Sequence, residues 1–347
     1  MRGVKRRAFP DAASPISDEE AENLFHTWRG AKGVVIAASG GPDSIALLGL
    51  ATRWRAAIAA PPLIAATFDH GLRPESAREA RQVKAFARSL CVDHRTLKWS
   101  GEKPASRLQE RAREARLAAL TRFAASRGCS HLALAHHEDD QAETVLMRLA
   151  AGSGIEGLAG MSCIATRDGV ILHRPLLSQS KARLVATCRA RGWPYVEDPS
   201  NADARFARSR WRSLASELAA EGLSSGRLAR LAARARRMND AVERAVEDWL
   251  AQHPPQVHRG GLAIPASAWR SAPDELQVRI ASRLIDQFGS ATPERLERVE
   301  RLWEDLRCAI DAGRPEKRNL RGVLVQIDAK DHLCFAPEPR RRTPHSS

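Results

Sequence analysis

No run of about 18 or more apolar residues occurs anywhere in the 347-residue sequence, which excludes a helical membrane span. The basic start, Met1 to Phe9, lacks the apolar stretch of a secretory signal, so a cytoplasmic protein is expected. Cysteine is sparse and unpaired. The six thiols, at positions 91, 129, 163, 188, 308 and 334, form no C-x-x-C pair and show no Cys/His spacing suited to zinc, and they read as isolated reduced side chains. No internal repeat is present.

What is there is a globular composition with a strong charge bias. Hydrophobic residues make up 43%, and the length leaves room for two domains, each with its own core. The formal charge of +14 points to a polyanionic partner, of which nucleic acid is the usual one.

Along the chain, Ser17 and Glu20 read as a capping box that opens a helix running to about Trp28. Short apolar runs follow at Val34 to Ala38, Leu63 to Phe68 and His131 to Ala135, with a further strand-like run at Val92 to Trp99. Helical spacing lies between them, over Ile45 to Arg55, over Ser76 to Leu90, and along Leu108, Ala112, Ala115, Ala119 and Phe123. Runs without period-two alternation, separated by helices, predict an α/β domain with a parallel sheet buried on both faces. Ligands of such sheets sit beyond the carboxyl ends of the strands. Three polar clusters occupy that place, after Ala38, after Phe68 and after Ala135, and they are expected to converge.

The catalytic domain is expected to span residues 1–213. A helical linker, 214–255, would carry Leu228, Leu231, Ala235, Met238, Val242 and Trp249 on one face, with an arginine flank beside it. Residues 256–336 read as a small α+β domain, with helices near 273–288 and 293–312 and terminal strands at 323–327 and 333–335. The Pro- and Arg-rich tail, 337–347, reads as disordered.

The first cluster, Ser39-Gly40-Gly41-Pro42-Asp43-Ser44, joins a strand to a helix. Its glycines let backbone N–H groups face an anion, its serines add hydroxyls, and the helix start aims positive potential at the same point. Asp43 would be repelled by phosphate unless it orients the loop or holds a cation, which favours Mg²⁺. No lysine follows the glycines, so this is not the loop that acts at a γ-phosphate.

Ser39-Gly-Gly-x-Asp-Ser44 resembles the loop of the N-type ATP pyrophosphatases, the PP-loop superfamily, also called adenine-nucleotide alpha-hydrolases. Asp69 to Ser76, His136 to Thr144, Gly152-Ser153-Gly154, Arg174-Pro175-Leu176-Leu177 and Glu197 to Asn201 resemble the tRNA(Ile)-lysidine synthase family, in family order, over roughly residues 33 to 213. Leu117 stands where that family usually has tyrosine, and the single small C-terminal domain is similar to the shorter family architecture. The resemblance implies that ATP adenylates the C2 oxygen of the wobble cytidine in a CAU-anticodon tRNA(Ile). Free lysine then displaces AMP to give lysidine. Thiolating relatives need paired cysteines, which this sequence lacks.

The implied cofactors are ATP and Mg²⁺, and the implied partners are that tRNA and L-lysine, with association of two copies left open. Ser39, Gly40, Gly41, Pro42, Asp43, Ser44, Asp69 and His70 are the nucleotide-site candidates. Asp43, Arg113, His136, Asp139 and Asp140 are the catalytic candidates. His136 and Asp140 lie four apart at a helix start, so both can face the cleft, although acidic residues also suit the helix dipole there. Arg116, Arg205, Arg208, Arg210 and Arg212 are the candidates for tRNA contact.

Overall fold

The computed structural model describes residues 14–57, 60–71, 76–99, 108–196, 207–289 and 296–338; for residues 108–109 and 207–209 only the backbone is described. The chain divides into two compact units. One takes the chain up to Arg148 and Gly160–Ala232, and the other takes Leu149–Ala159 and the chain from Ala233 onward. The expected tail falls outside the described residues from position 339. No described helix is long and apolar enough to cross a membrane.

The first unit is built on a six-stranded sheet. Its strands are β1 (Val34–Ala37), β2 (Leu63–Asp69), β3 (Asp93–Lys98), β4 (His131–Ala133), β5 (Ile164–Arg167) and β6 (Val170–His173), in the order β3-β2-β1-β4-β6-β5. β1 pairs in parallel with both β2 and β4, and β3 and β6 extend the parallel sheet on either side. The apolar run of β1 explains the layering, because alternate residues enter opposite cores. Val34 and Ile36 join Phe25, Leu47 and Leu184 on one face, while Val35 joins Leu120, Leu132 and Leu172 on the other. The parallel α/β expectation holds, with one addition. β5 is an antiparallel edge strand, turned by Asp168-Gly169, whose φ values of 48° and 76° form a tight hairpin.

Helices α1 (Asp18–Phe25), α2 (Pro42–Ala57), α3 (Ser76–Ser89), α4 (Leu108–Ser126) and α5 (Glu138–Ala150) follow one another between and beyond these strands. Ser17 and Glu20 form the expected capping box of α1. The buried seam of α4 passes through Ala112, Leu120 and Ala124, so Ala115 and Ala119 lie beside it. After α6 (Ile155–Leu158) come α7 (Lys181–Ala190), α8 (Ala207–Ser213), α9 (Ala215–Ala220) and α10 (Ser225–Gln252). In α10 the buried positions include Leu228, Ala232, Ala235 and Val246, whereas Leu231 and Met238 are exposed. Leu228 and Ala235 are buried as expected and Val242 and Trp249 pack against the core of the second unit, whereas Leu231 and Met238 fall off the covered face and Ala232 and Val246 join it.

The second unit carries β7 (Gln256–His258), β8 (Gly261–Pro265), α11 (Ala266–Ser271), α12 (Asp274–Asp286), α13 (Leu296–Asp311), β9 (Glu316–Leu320), β10 (Val323–Ile327) and β11 (His332–Pro337). The strands form an antiparallel sheet, β7-β8-β11-β10-β9. Its inner residues Ile264, Val323, Val325, Leu333 and Phe335 share a core with Ile280, Leu284, Leu302 and Leu306 of the helices. The α+β class is as expected, and three strands are added to the two read from sequence.

One buried contact in the first unit sets a pH dependence. Trp28 Nε1–H donates to His173 Nδ1 at 2.7 Å, and His173 is 3% exposed. Burial pushes the His173 pKa down to about 4, helped by nearby cationic groups, so it folds neutral. With the folded pKa below the unfolded one, its contribution is complete above about pH 6.5 and is lost as pH falls toward 4. We expect acidification across that window to remove up to about 3 kcal/mol, read as a falling denaturant midpoint. A His173→Asn variant should show a flatter curve over the same range; an equal slope would assign the loss to other groups.

Candidate active site

The order of the sheet places the site. From β1 the chain crosses to β2 on one side and later returns to β4 on the other, leaving a crevice beyond the carboxyl ends of β1 and β4. A cavity of about 640 Å³ opens there. It is lined by Ala37 to Ser39 and Gly41 to Ser44 after β1, by Thr67 to His70 at the end of β2, and by Leu134 to His136 after β4. Arg116, Asp140 and Lys181 complete its polar wall. The three strand-end clusters therefore meet in one place.

Gly41 caps α2, accepting from Ile45 N–H at 3.1 Å, and Pro42 takes the first helical position, where a missing N–H costs nothing. Gly40 has φ +98°, a conformation that side chains rarely adopt. The N–H groups of Ser39 and Gly40 donate to Ser44 Oγ at 3.0 and 3.1 Å, and that hydroxyl donates to the Gly41 carbonyl at 3.1 Å. Ser44, expected to face an anion, spends its hydroxyl shaping the turn and is 3% exposed. The Gly40 carbonyl accepts from Val196 N–H at 2.9 Å, which ties the loop to the chain after α7. Beneath it the buried Cys188 thiol donates to the Pro42 carbonyl; burial pushes its pKa up to about 12, so it stays protonated. The described cavity lining contains no cysteine.

Asp43 presents a buried Oδ1 with no hydrogen-bond partner. Its Oδ2 lies 3.5 Å from His137 Nε2. His137 also stands 3.5 Å from Asp140 Oδ2 and, through Nδ1, 3.5 Å from Asp139 Oδ2. These separations are those of ion pairs rather than of tight hydrogen bonds. Burial alone would discharge the imidazole, but Asp139, Asp43 and Asp140 outweigh it and hold its pKa up at about 10. His137 is thus a cation among three carboxylates. Sequence reasoning chose the preceding residue, His136, and missed this one. Burial pushes His136 well below the ordinary histidine range, with Arg116, Arg174 and Arg113 adding to the shift against the pull of Asp140. The His136 ring is neutral, and its buried Nδ1 has no hydrogen-bond partner.

Asp140 lines the cavity and also accepts the His137 backbone N–H at 3.1 Å, closing half of a capping box on α5. Both the cleft reading and the helix-start reading of this residue hold together. Asp139 does not line the cavity. It accepts from Lys181 N–H and Ser225 Oγ, each at 2.9 Å; burial opposes its charge, but His137 and these donors hold its carboxyl well below the usual range. Asp69 accepts from Ser76 Oγ–H at 2.7 Å and Gly71 N–H at 2.8 Å, and these bonds outweigh burial to keep it ionised. His70 is half-buried and meets Phe68 edge-on.

Among the arginines, Arg116 reaches the cavity wall while Arg113 is exposed on α4 and acts on His136 at a distance. Arg212 pairs with Glu143 at 2.5 Å and with Asp140 at 3.5 Å, so its guanidinium braces the site. Arg210 is exposed on α8. Only the backbone of Arg208 is described, and Arg205, the Leu72–Glu75 stretch and the Glu197–Asn201 motif lie outside the described residues. Glu143 and Lys181 were not singled out from sequence. Their signals were present: Glu143 lies three residues after Asp140 on the same helix face, and Lys181 follows the helix-capping Ser180.

A Gly-rich strand-to-helix turn beside a carboxylate-lined crevice in a parallel sheet defines an ATP-binding α/β protein of the PP-loop class. Comparison with known proteins agrees, since the family model of the PP-loop domain matches residues 14–218. Among curated proteins, the tRNA(Ile)-lysidine synthase of Bradyrhizobium sp. (strain BTAi1 / ATCC BAA-1182) is 48% identical, covering 94% of this chain and 96% of its own length. That of Methylobacterium sp. (strain 4-46) is 47% identical, covering 96% and 98%. Among solved structures, the U34-tRNA thiolase NcsA from Methanococcus maripaludis with its [4Fe-4S] cluster shares the fold. Its TM-score is 0.54 at 18% identity, covering 62% of this chain and 78% of that one. The chain belongs to the tRNA(Ile)-lysidine synthase family of PP-loop proteins.

Proposed function

We propose that this chain ligates lysine to C2 of the wobble cytidine of CAU-anticodon tRNA(Ile), consuming ATP. The observation that carries the reading is the cavity shared by the Gly-rich turn, Asp43, His136 and Asp140, on a chain similar to lysidine synthases over nearly its whole length.

In the first step the C2 oxygen attacks the α-phosphorus of ATP and pyrophosphate leaves. In the second the lysine ε-amine attacks C2, AMP leaves with that oxygen, and the amine proton passes to solvent or a base. The turn and the start of α2 supply N–H groups and positive potential to the phosphates. The buried, unpartnered Oδ1 of Asp43 is a hard oxygen donor that fits Mg²⁺. When bound, Mg²⁺ would neutralise phosphate charge at that point. Arg116 on the wall faces anionic groups, and the carboxylates of Asp69 and Asp140 balance a cationic substrate. Neutral His136 can exchange a hydrogen bond with the base or the amine, whereas His137, already protonated, is no proton acceptor at neutral pH. The only cysteine described against the loop is held as an unreactive thiol, which suits a ligase better than a sulfur-transfer enzyme.

Incubation of purified protein with ATP, Mg²⁺, lysine and this tRNA should convert the wobble cytidine to lysidine, read by mass spectrometry of digested tRNA. An unchanged cytidine would overturn the reading. On the tRNA side, Arg210→Ala should weaken RNA binding several-fold, leave ATP binding intact and lower the slope of log affinity against log salt by about one. An unaltered affinity across the salt series would remove α8 from the RNA surface.

A further inference from the structure

On the sheet of the second unit, three residues far apart in sequence come together: His258, the last residue of β7, Asp328, just past β10, and Cys334 on β11. One donor atom from each, an imidazole nitrogen, a carboxylate oxygen and the thiol sulfur, lie within 4.8 Å of one another. The pairing of the strands makes this possible. His258 stands opposite Gly261, and Cys334 opposite Ala263, so the intervening strand β8 puts almost no side-chain bulk between them. A Cβ on Gly261 would lie 2.1 Å from the Phe335 carbonyl, so this close approach of strands depends on glycine there.

Ordinary packing leaves one member of the cluster unsatisfied, although the Cys334 thiol donates to the His332 carbonyl at 3.8 Å. His258 Nε2 is buried and has no hydrogen-bond partner; the nearest carboxylate oxygen, Asp328 Oδ2, is 3.9 Å away, beyond hydrogen-bond reach. Asp328, by contrast, is fixed. Its Oδ1 accepts the N–H groups of Lys330 and His332 at 2.8 and 3.0 Å, and its Oδ2 accepts from His332 Nδ1 at 3.0 Å. Burial opposes the charge of that carboxylate, but these bonds hold its pKa down to about 2. An oriented carboxylate, an orphaned imidazole nitrogen and a thiol that is 4% exposed all face one point.

We propose that His258, Asp328 and Cys334 form a binding site for a first-row transition-metal ion of the Zn²⁺ type, with His332 as the positioning residue that orients Asp328. One nitrogen, one oxygen and one sulfur donor suit zinc, whereas Mg²⁺ and Ca²⁺ require oxygen donors throughout. Closing donors from within 4.8 Å onto bonds of about 2.0 to 2.3 Å needs only small side-chain movements. Cys334 binds as the thiolate, its proton leaving to solvent, and no redox change occurs. The ion would pin β7, a three-residue edge strand whose Val257 is 86% exposed, to the turn between β10 and β11. It shares no residue with the proposed reaction, so its test is independent of that reading.

The test uses the full-length chain without an affinity tag, titrated with Co²⁺ as a spectroscopic stand-in and then with Zn²⁺. The expected result is about one Co²⁺ per chain with a thiolate-to-cobalt charge-transfer band, erased by Zn²⁺. Cys334→Ser should abolish the band, and His258→Gln should weaken binding at least tenfold, with circular dichroism confirming that both remain folded. Replacing the exposed thiols of Cys91, Cys163 and Cys308 by alanine should leave the band unchanged. Absence of the band in the parent chain would overturn the site. So would its survival in Cys334→Ser or an undiminished affinity in His258→Gln.

Discussion

Asp43→Ala is expected to lower lysidine formation by at least about a hundredfold, the scale on which removal of a single preorganised electrostatic group acts. The same change should cost only about 1 kcal/mol of stability, the order of one favourable carboxylate at a helix start. The asymmetry follows from where the side chain stands. Asp43 sits in the first turn of α2, the end that attracts phosphate, where a carboxylate repels the substrate unless a cation intervenes. Its Oδ1 is buried with no partner inside the protein, and the His137 cation faces only its other oxygen. Pyrophosphate release followed against Mg²⁺ concentration, alongside thermal melts, separates the two effects. Activity within threefold of the parent would end the assignment of Asp43 to cation and phosphate chemistry.

The second large effect falls on stability. His137→Gln places a neutral amide where an imidazolium stands 3.5 Å from each of Asp43, Asp139 and Asp140. The His137 side chain is 4% exposed, so water takes over the screening only on the open sides of Asp43 and Asp139. Asp140 is buried and Asp43 and Asp139 are half-buried, so leaving them without their counter-charge costs about 2 kcal/mol, less than for a fully buried set, and the denaturant midpoint of the variant should drop accordingly. Added Mg²⁺ should recover part of that loss in the variant and change the parent little, because a divalent ion supplies the missing charge beside Asp43. If the variant melts with the parent and ignores Mg²⁺, the three carboxylates do not depend on His137.

The division between what sequence reveals and what it hides runs along the range of the interactions. The strand ends were legible because an apolar run closing on Gly, Asp or His is a local pattern, and β1, β2 and β4 each close this way. The hairpin of β5 and β6 was equally local, in Asp168-Gly169, but its flanking strands are only four residues long, too short for an alternation to stand out. On α10 the expected face holds at Leu228, Ala235, Val242 and Trp249 but not at Leu231 and Met238, because the sequence offers apolar residues at all six and only packing decides which are covered.

The Gly-rich turn, its junction between strand and helix and its acidic residue are properties of six consecutive positions, and the sequence by itself determined that this chain carries a phosphate-handling turn with a carboxylate in it. Which of two adjacent histidines carries charge could not be read there. It depends on Asp43, almost a hundred residues earlier in the chain, folding to within 3.5 Å of His137, while desolvation, aided by Arg116, Arg174 and Arg113, discharges His136. Arg212 is engaged by Glu143 and Asp140 for the same reason, and His258, Asp328 and Cys334 converge only through the register of β7, β8, β10 and β11. Local chemistry follows from neighbours along the chain, but charge state and donor clusters follow from burial and from distances across the fold, and those exist only once the tertiary structure has formed.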